Sequence, residues 1–200
     1  MNLYLRYILP TCCVLYFLFL IIIRAWDVRR QIGKNPVLLT FSDDLHGLIG
    51  KYFGIWMTLL CAYTVAYCIY PNGYHYFLPI DYLNINAIKI FGLLILAASL
   101  VGTYMAQGNM KKSWRVGIDE QQKTELVTTG IFSYSRNPIY AGMLASVIGL
   151  FMVTPNGFTL LLMVAGYLLI QVQVRVEEDF LLKMHGQLYT NYKASVRRFV

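Results

Sequence analysis

The stretch PIYAGMLASVIGLFMVTPNGFTLLLMVAGYLLIQVQV, residues 138–174, decides the fold. It carries no Lys, Arg, Asp or Glu, and Thr154-Pro155-Asn156-Gly157 divides it into two apolar arms, Pro138 to Val153 and Phe158 to Val174. Each arm is too long for an ordinary strand, and the central tetrapeptide has turn chemistry, so the stretch reads as a helical hairpin. At about 1.5 Å per residue both arms are short for a hydrocarbon core of about 30 Å, which implies tilting or partial insertion. A hairpin that crosses a membrane twice returns its two flanks to one face. Those flanks are the polar segments Ser113 to Tyr140 and Gln171 to Tyr192.

Composition agrees with this reading. The 200 residues are 58% hydrophobic and 14% charged, whereas soluble domains carry about 25% charged residues. The chain is therefore expected to be an all-α, polytopic membrane helical bundle of a single domain, residues 1–200. Seventeen Lys and Arg stand against ten Asp and Glu, but no basic run with interleaved aromatics points to nucleic acid. Cys12, Cys13, Cys61 and Cys68 lie in apolar runs, without a CxxC pair or a His at ligand spacing. Buried inert thiols are expected, with no disulfide framework and no metal site.

Working outward, the first apolar run, Leu3 to Ile23, exceeds a signal-peptide core and is followed, not preceded, by its arginines, so it reads as a retained helix. A connection from Trp26 to Lys51 contains GKNP and SDD turn signals, with Ser42 or Asp43 as a cap for a helix over Leu48 to Tyr70. Pro71-Asn72-Gly73 stops that helix, and a third span follows at Ile85 to Gln107. Together with the hairpin this makes about five transmembrane helices, followed by a C-terminal helix. Lys and Arg number one near the N-terminus, five in the first loop, none in the second, five in the third, none in the hairpin turn and five from Arg175 onward. The positive-inside rule then predicts an outside N-terminus, with the first loop, third loop and tail in the cytoplasm.

The candidate chemistry lies in the two polar flanks. Gln171, Arg175 and Glu178 share one helical face, and Gln173 and Glu177 form an adjacent pair. Ionisable groups at a membrane end require partners or a cavity, although Arg175 also reads as an interface anchor paired to an acid. In the other flank, Asn137 suits a helix N-cap and Pro138 the first helical turn. A helix start beside the Arg136 guanidinium is a carboxylate or phosphate site. Tyr134 and Tyr140 flank it and read equally as binding walls or as interfacial belt residues.

Taken together, SWRVGIDEQQKTELVTTGIFSYSRNPIYAG (113–142) and, one hairpin later, RVEEDFLLKMHGQLYTNYKASVRRF (175–199) resemble the isoprenylcysteine carboxyl methyltransferase and phospholipid methyltransferase superfamily. The resemblance covers about Gly108 to Phe199 and marks residues 108–199 as the cofactor-site half. It implies an integral membrane enzyme that uses S-adenosylmethionine. The family's Arg-His-Pro-x-Tyr element matches Arg136, Asn137, Pro138 and Tyr140, and its Arg-x-Glu-Glu element matches Arg175, Glu177 and Glu178. Asn137 stands where the family often has His, which removes a titrating imidazole. Tyr140-Ala141-Gly142-Met143 lacks the Gly-x-Gly common in the phospholipid branch, which argues against a phospholipid N-methyltransferase.

On this resemblance Arg136 and the helix start at Asn137 receive the cofactor's carboxylate, Glu177 or Glu178 its ammonium or ribose hydroxyls, and Tyr134, Pro138 and Tyr140 complete the pocket. Arg175 and Glu178 are the expected catalytic residues: Arg175 would orient an anionic acceptor, and Glu178 or Glu177 would accept a proton from an amine. The expected partners are membrane lipids and a lipophilic or lipidated substrate. Two other readings compete: a membrane reductase holding a nicotinamide dinucleotide on the same scaffold, and a scaffold without catalysis.

Overall fold

The computed structural model describes residues 3–37, 45–117 and 125–199. It consists of helices: α1 (Leu3–Phe17), a π-helical segment (Leu18–Ile23) that runs straight into α2 (Arg24–Ile32), α3 (Leu45–Ile69), α4 (Asn86–Met110), α5 (Pro138–Val153), α6 (Gly157–His185) and α7 (Gln187–Ser195). No strand occurs among the described residues, and pairing is limited to isolated bridges. Helices are the physical outcome for apolar runs of this length, because lipid offers no partner to an unpaired N–H or C=O.

Among the described residues four helical stretches are long and apolar enough to cross a membrane: Tyr4–Ile32, Gly47–Ile69, Asn86–Ser113 and Gly157–His185. The fifth expected span, Pro138–Val153, is a shorter apolar helix. Its 16 residues reach only about 24 Å. The first helix does not stop near Ile23 as its composition suggests. The π-helical segment carries it on to Ile32, where Gly33 closes it in the left-handed conformation at φ 71°. Within that segment the Leu20 carbonyl accepts a hydrogen bond from Gln107 Nε2 at 2.9 Å. The expected capping by Ser42 or Asp43 lies outside the described residues.

The tightest seam joins α4 to α5. A Cβ on Gly92 would sit 2.8 Å from the Gly149 carbonyl oxygen, and one on Gly149 would sit 2.8 Å from that of Gly92. Paired glycines therefore let the two backbones touch, as helices in lipid use small residues to do. Across the bundle, α3 packs on α1 and α6 around Leu9, Trp56, Tyr63, Val147 and Leu162, and Trp56 Nε1 donates to the Leu162 carbonyl at 2.8 Å. The four cysteines are free thiols, as expected, but half-buried where buried ones were expected, and Cys13 Sγ lies 3.5 Å from Cys61 Sγ.

Loop contacts group the ends of the bundle. Val37 bridges Val116, joining the first loop to the third, and Arg136 N donates to the Arg197 carbonyl, joining the third loop to the tail. At the opposite end Pro79 bridges Asn156, joining the second loop to the hairpin turn. The Lys- and Arg-rich connections thus share one end, hereafter the basic end. Reporter domains that require the cytoplasm should be active when fused after Lys34, between Lys111 and Lys123 or at the C-terminus, and silent after Asn72 or Asn156. Activity of the third-loop and tail fusions on opposite faces would contradict both the charge rule and these contacts.

Candidate functional site

The site is assembled where the start of α5, the end of α6 and the C-terminal segment meet at the basic end. Arg136 Nη2 reaches Glu178 Oε1 at 2.9 Å and Arg198 Nη2 reaches Glu178 Oε2 at 2.8 Å, with Lys193 Nζ at 3.8 Å. The Glu178 side chain is only 2% exposed and that of Arg136 8%, so this is a buried, multiply bonded pair. Asn137 Nδ2 adds a hydrogen bond to Glu178 Oε1 at 3.3 Å. The tail seals the cluster with its backbone. Arg136 N donates to the Arg197 carbonyl at 2.9 Å and Asn137 N to that of Arg198 at 3.1 Å. Arg136 Nη1 donates to the Lys193 and Val196 carbonyls. Hydrogen bonding from Arg198 to Glu178 stabilises the charged guanidinium and raises its pKa above the ordinary arginine value.

This geometry changes several of the expected placements. Arg136 and Glu178 bind each other, so their best donors and acceptors are already engaged. Asn137 stands at the N-cap position of α5, but its side chain makes no capping bond and turns to Glu178 and Arg198 instead. Pro138 is buried at the first helical position, as expected. Arg175 does not converge with Glu178: it is exposed and folds back along α6 to the Gln171 carbonyl and Oε1, at 2.7 and 3.0 Å. Tyr134 is 79% exposed. Tyr140 does meet α6, donating its hydroxyl to Glu177 Oε2 at 2.8 Å.

A polar cavity opens beside the cluster. Arg136, Asn137 and Glu177 line it, with Arg115 and Ser113 from the segment after α4 and Glu125 at an exposed position; Phe132, Phe180 and Leu181 contribute apolar wall. Tyr192 also lines it and donates its hydroxyl to the Phe132 carbonyl at 2.6 Å. Burial pushes the Tyr192 phenol up to about 12, so it remains a donor at neutral pH. A second cavity, almost wholly apolar, lies among α1, α3, α4 and α5, with Leu9, Tyr16, Trp56, Leu96 and Met143 in its wall. Asn137, at the start of α5, lines the first cavity and Met143, six residues on, lines the second.

Sequence reasoning missed Arg115, Lys193 and Arg198. All three were visible only as members of the basic loops, and the positive-inside rule accounts for such residues without giving them partners.

The fold and the site define a helical membrane protein with a buried ion-paired cluster and a polar cavity at one end. The phospholipid methyltransferase family matches residues 87–188. The chain belongs to that family, and through it to the superfamily of membrane methyltransferases that also includes the isoprenylcysteine carboxyl methyltransferases. Among curated proteins none matches the chain.

Proposed function

We propose that this protein is an integral membrane methyltransferase that moves a methyl group from S-adenosylmethionine to a lipophilic acceptor at the cytoplasmic face. The observation that carries this reading is the polar cavity at the basic end, enclosed by both polar flanks of the hairpin. Its chemistry fits the cofactor. Glu177 suits an ammonium, a guanidinium suits a carboxylate, and Phe132, Phe180 and Leu181 offer apolar wall to an adenine. When bound, S-adenosylmethionine supplies an electrophilic methyl group on a sulfonium.

The protein's own part is to bind, orient and exclude water. The Arg136–Glu178–Arg198 cluster holds the start of α5 against the end of α6, and Tyr140 fixes the rotamer of Glu177. The neighbouring apolar cavity suits the hydrocarbon portion of an acceptor. Positioning of the reacting atoms in a site shielded from water then favours a transfer that neutralises charge.

Two acceptor chemistries follow from specific observations. Asn137 provides no imidazole base, which favours an acceptor needing no proton removal, such as a carboxylate. The match to the phospholipid methyltransferase family favours an amine instead. In that case Glu177 is the better base, because Glu178 is occupied by Arg136 and Arg198. Incubating purified protein with labelled S-adenosylmethionine and a native lipid extract should label a lipophilic species. With a carboxylate acceptor the rate should change little between pH 7 and pH 6, since such groups titrate near pH 4. A rate that falls tenfold over that unit, with label on an amine headgroup, would select the phospholipid reading.

A further inference from the structure

Helix α6 carries two stripes. Thr159, Leu162, Gly166, Ile170, Val174 and Glu178 recur every three or four residues and are buried against the bundle. On another side Leu161, Val164, Leu168 and Val172 are exposed at the same spacing. A row of exposed large apolar side chains on a helix long enough to cross a membrane is the surface that meets lipid chains. The exposed stripe does not stop at Val172: it continues through Arg175, Asp179 and Leu182, all exposed.

Depth fixes what the charged end of this stripe meets. Arg175 is the first charged residue of α6, about 27 Å along the axis from Gly157, close to the thickness of a hydrocarbon core of about 30 Å. Its side chain therefore stands where lipid tails give way to headgroups, on the side that the lipids occupy. Asp179 follows one turn, about 6 Å, further out. Arg175 Nη1 donates to the Gln171 carbonyl and to Gln171 Oε1, at 2.7 and 3.0 Å. That rotamer draws the guanidinium back toward the apolar run and away from Asp179, so the two charges are set apart along the helix, the cation nearer the lipid tails.

We propose that Arg175 and Asp179 form a headgroup site for one zwitterionic phospholipid in the leaflet at the basic end, with the phosphate at Arg175, the ammonium at Asp179 and an acyl chain along Val172, Leu168 and Val164. Such a lipid carries its charges in the same order outward from the acyl chains, a phosphate and then an ammonium. A guanidinium matches phosphate oxygens with paired N–H donors. The turn from Arg175 to Asp179 also bears Glu177 and Glu178 on its other sides, so a lipid held there sets the height of both glutamates at the membrane surface. The site rests on the membrane-spanning fold alone and is independent of the methyl-transfer reading.

The test follows lipid retention by native mass spectrometry of the full chain, released from nanodiscs of phosphatidylethanolamine and phosphatidylglycerol with a minor fraction of diacylglycerol, and normalised to the amount of each lipid. Wild-type protein should keep phosphatidylethanolamine in preference to phosphatidylglycerol, and either in preference to diacylglycerol, which has no phosphate. Arg175→Ala should lower retention of both phospholipids about fivefold relative to diacylglycerol, the effect of one basic side chain near a membrane surface. Arg175→Lys should keep most of the wild-type retention. Asp179→Asn should equalise the two phospholipids. Lys183→Ala, which removes an exposed basic residue two turns beyond Arg175 on the same helix, should change nothing. The ratio between two lipids on one preparation does not depend on its yield, so a poorly expressed variant still reports. An Arg175→Ala protein that retains phospholipid as wild type does, or a Lys183→Ala protein that loses as much, would overturn the site. An Asp179→Asn protein that keeps the full preference for the ethanolamine headgroup would overturn the place given to the ammonium.

Discussion

Glu178→Gln is expected to lose about 3–5 kcal/mol of stability, the range for removing one partner of a buried ion pair. The carboxylate is 2% exposed and collects Arg136, Arg198, Lys193 and Asn137. Neutralising it leaves the Arg136 side chain, itself 8% exposed, as a cation without its counter-charge. The same change frees Arg198, so the tail segment from Val196 to Arg198 should detach from the start of α5. Denaturation of the purified protein in detergent should show a lowered midpoint, and adenosylhomocysteine binding should fall with the folded fraction. A Glu178→Gln protein as stable as wild type that nevertheless fails to bind the cofactor analogue would return Glu178 to the ligand-contacting role that the Arg-x-Glu-Glu motif suggests.

Glu177→Gln is expected to behave in the opposite way, one residue along the same helix. Gln keeps the shape of the side chain and an oxygen to accept the Tyr140 hydroxyl, which is 2.8 Å from Glu177 Oε2. The contact between α5 and α6 should survive, and the denaturation midpoint should stay close to wild type. What disappears is the negative charge in the cavity wall. Loss of a charge-assisted contact to an ammonium is worth about 1.5–3 kcal/mol, or roughly 10- to 150-fold in adenosylhomocysteine affinity. Normal binding with reduced stability would make Glu177 a structural partner of Tyr140 and nothing more. The two glutamates together form a decisive pair, because the motif treats them alike and the structure treats them differently.

The difference comes from helical geometry. Adjacent residues on α6 point about 100° apart, so Glu178 turns toward the buried junction with the tail while Glu177 turns toward Tyr140 and the cavity. Arg175 is kept away by its rotamer instead. Its spacing of three from Glu178 places it on roughly the same side of an ideal helix, but the exposed rotamer bonds back to Gln171. Periodicity predicts a side; neighbouring elements decide which rotamer is stable there.

By itself the amino-acid sequence determined the helical membrane class, the apolar runs and their turn signals, and the grouping of basic loops at one end. These are local or compositional properties: lipid forces long apolar segments into helices, and Pro155-Asn156-Gly157 turns the hairpin whatever surrounds it. It also marked the two flanks that carry the motif residues, because within each flank those residues are near neighbours in the chain. Only the tertiary structure decided which charges are spent on one another. Arg136 and Glu178 are 42 positions apart and Arg198 a further 20, and no spacing rule links a tail arginine to a glutamate on a membrane helix. Nor could the chain order reveal that Val116 is pinned by the Pro36–Val37 segment. Ion pairing at a helix junction is set by which ends the fold brings together and how deeply it buries them, and both follow from packing across the whole bundle.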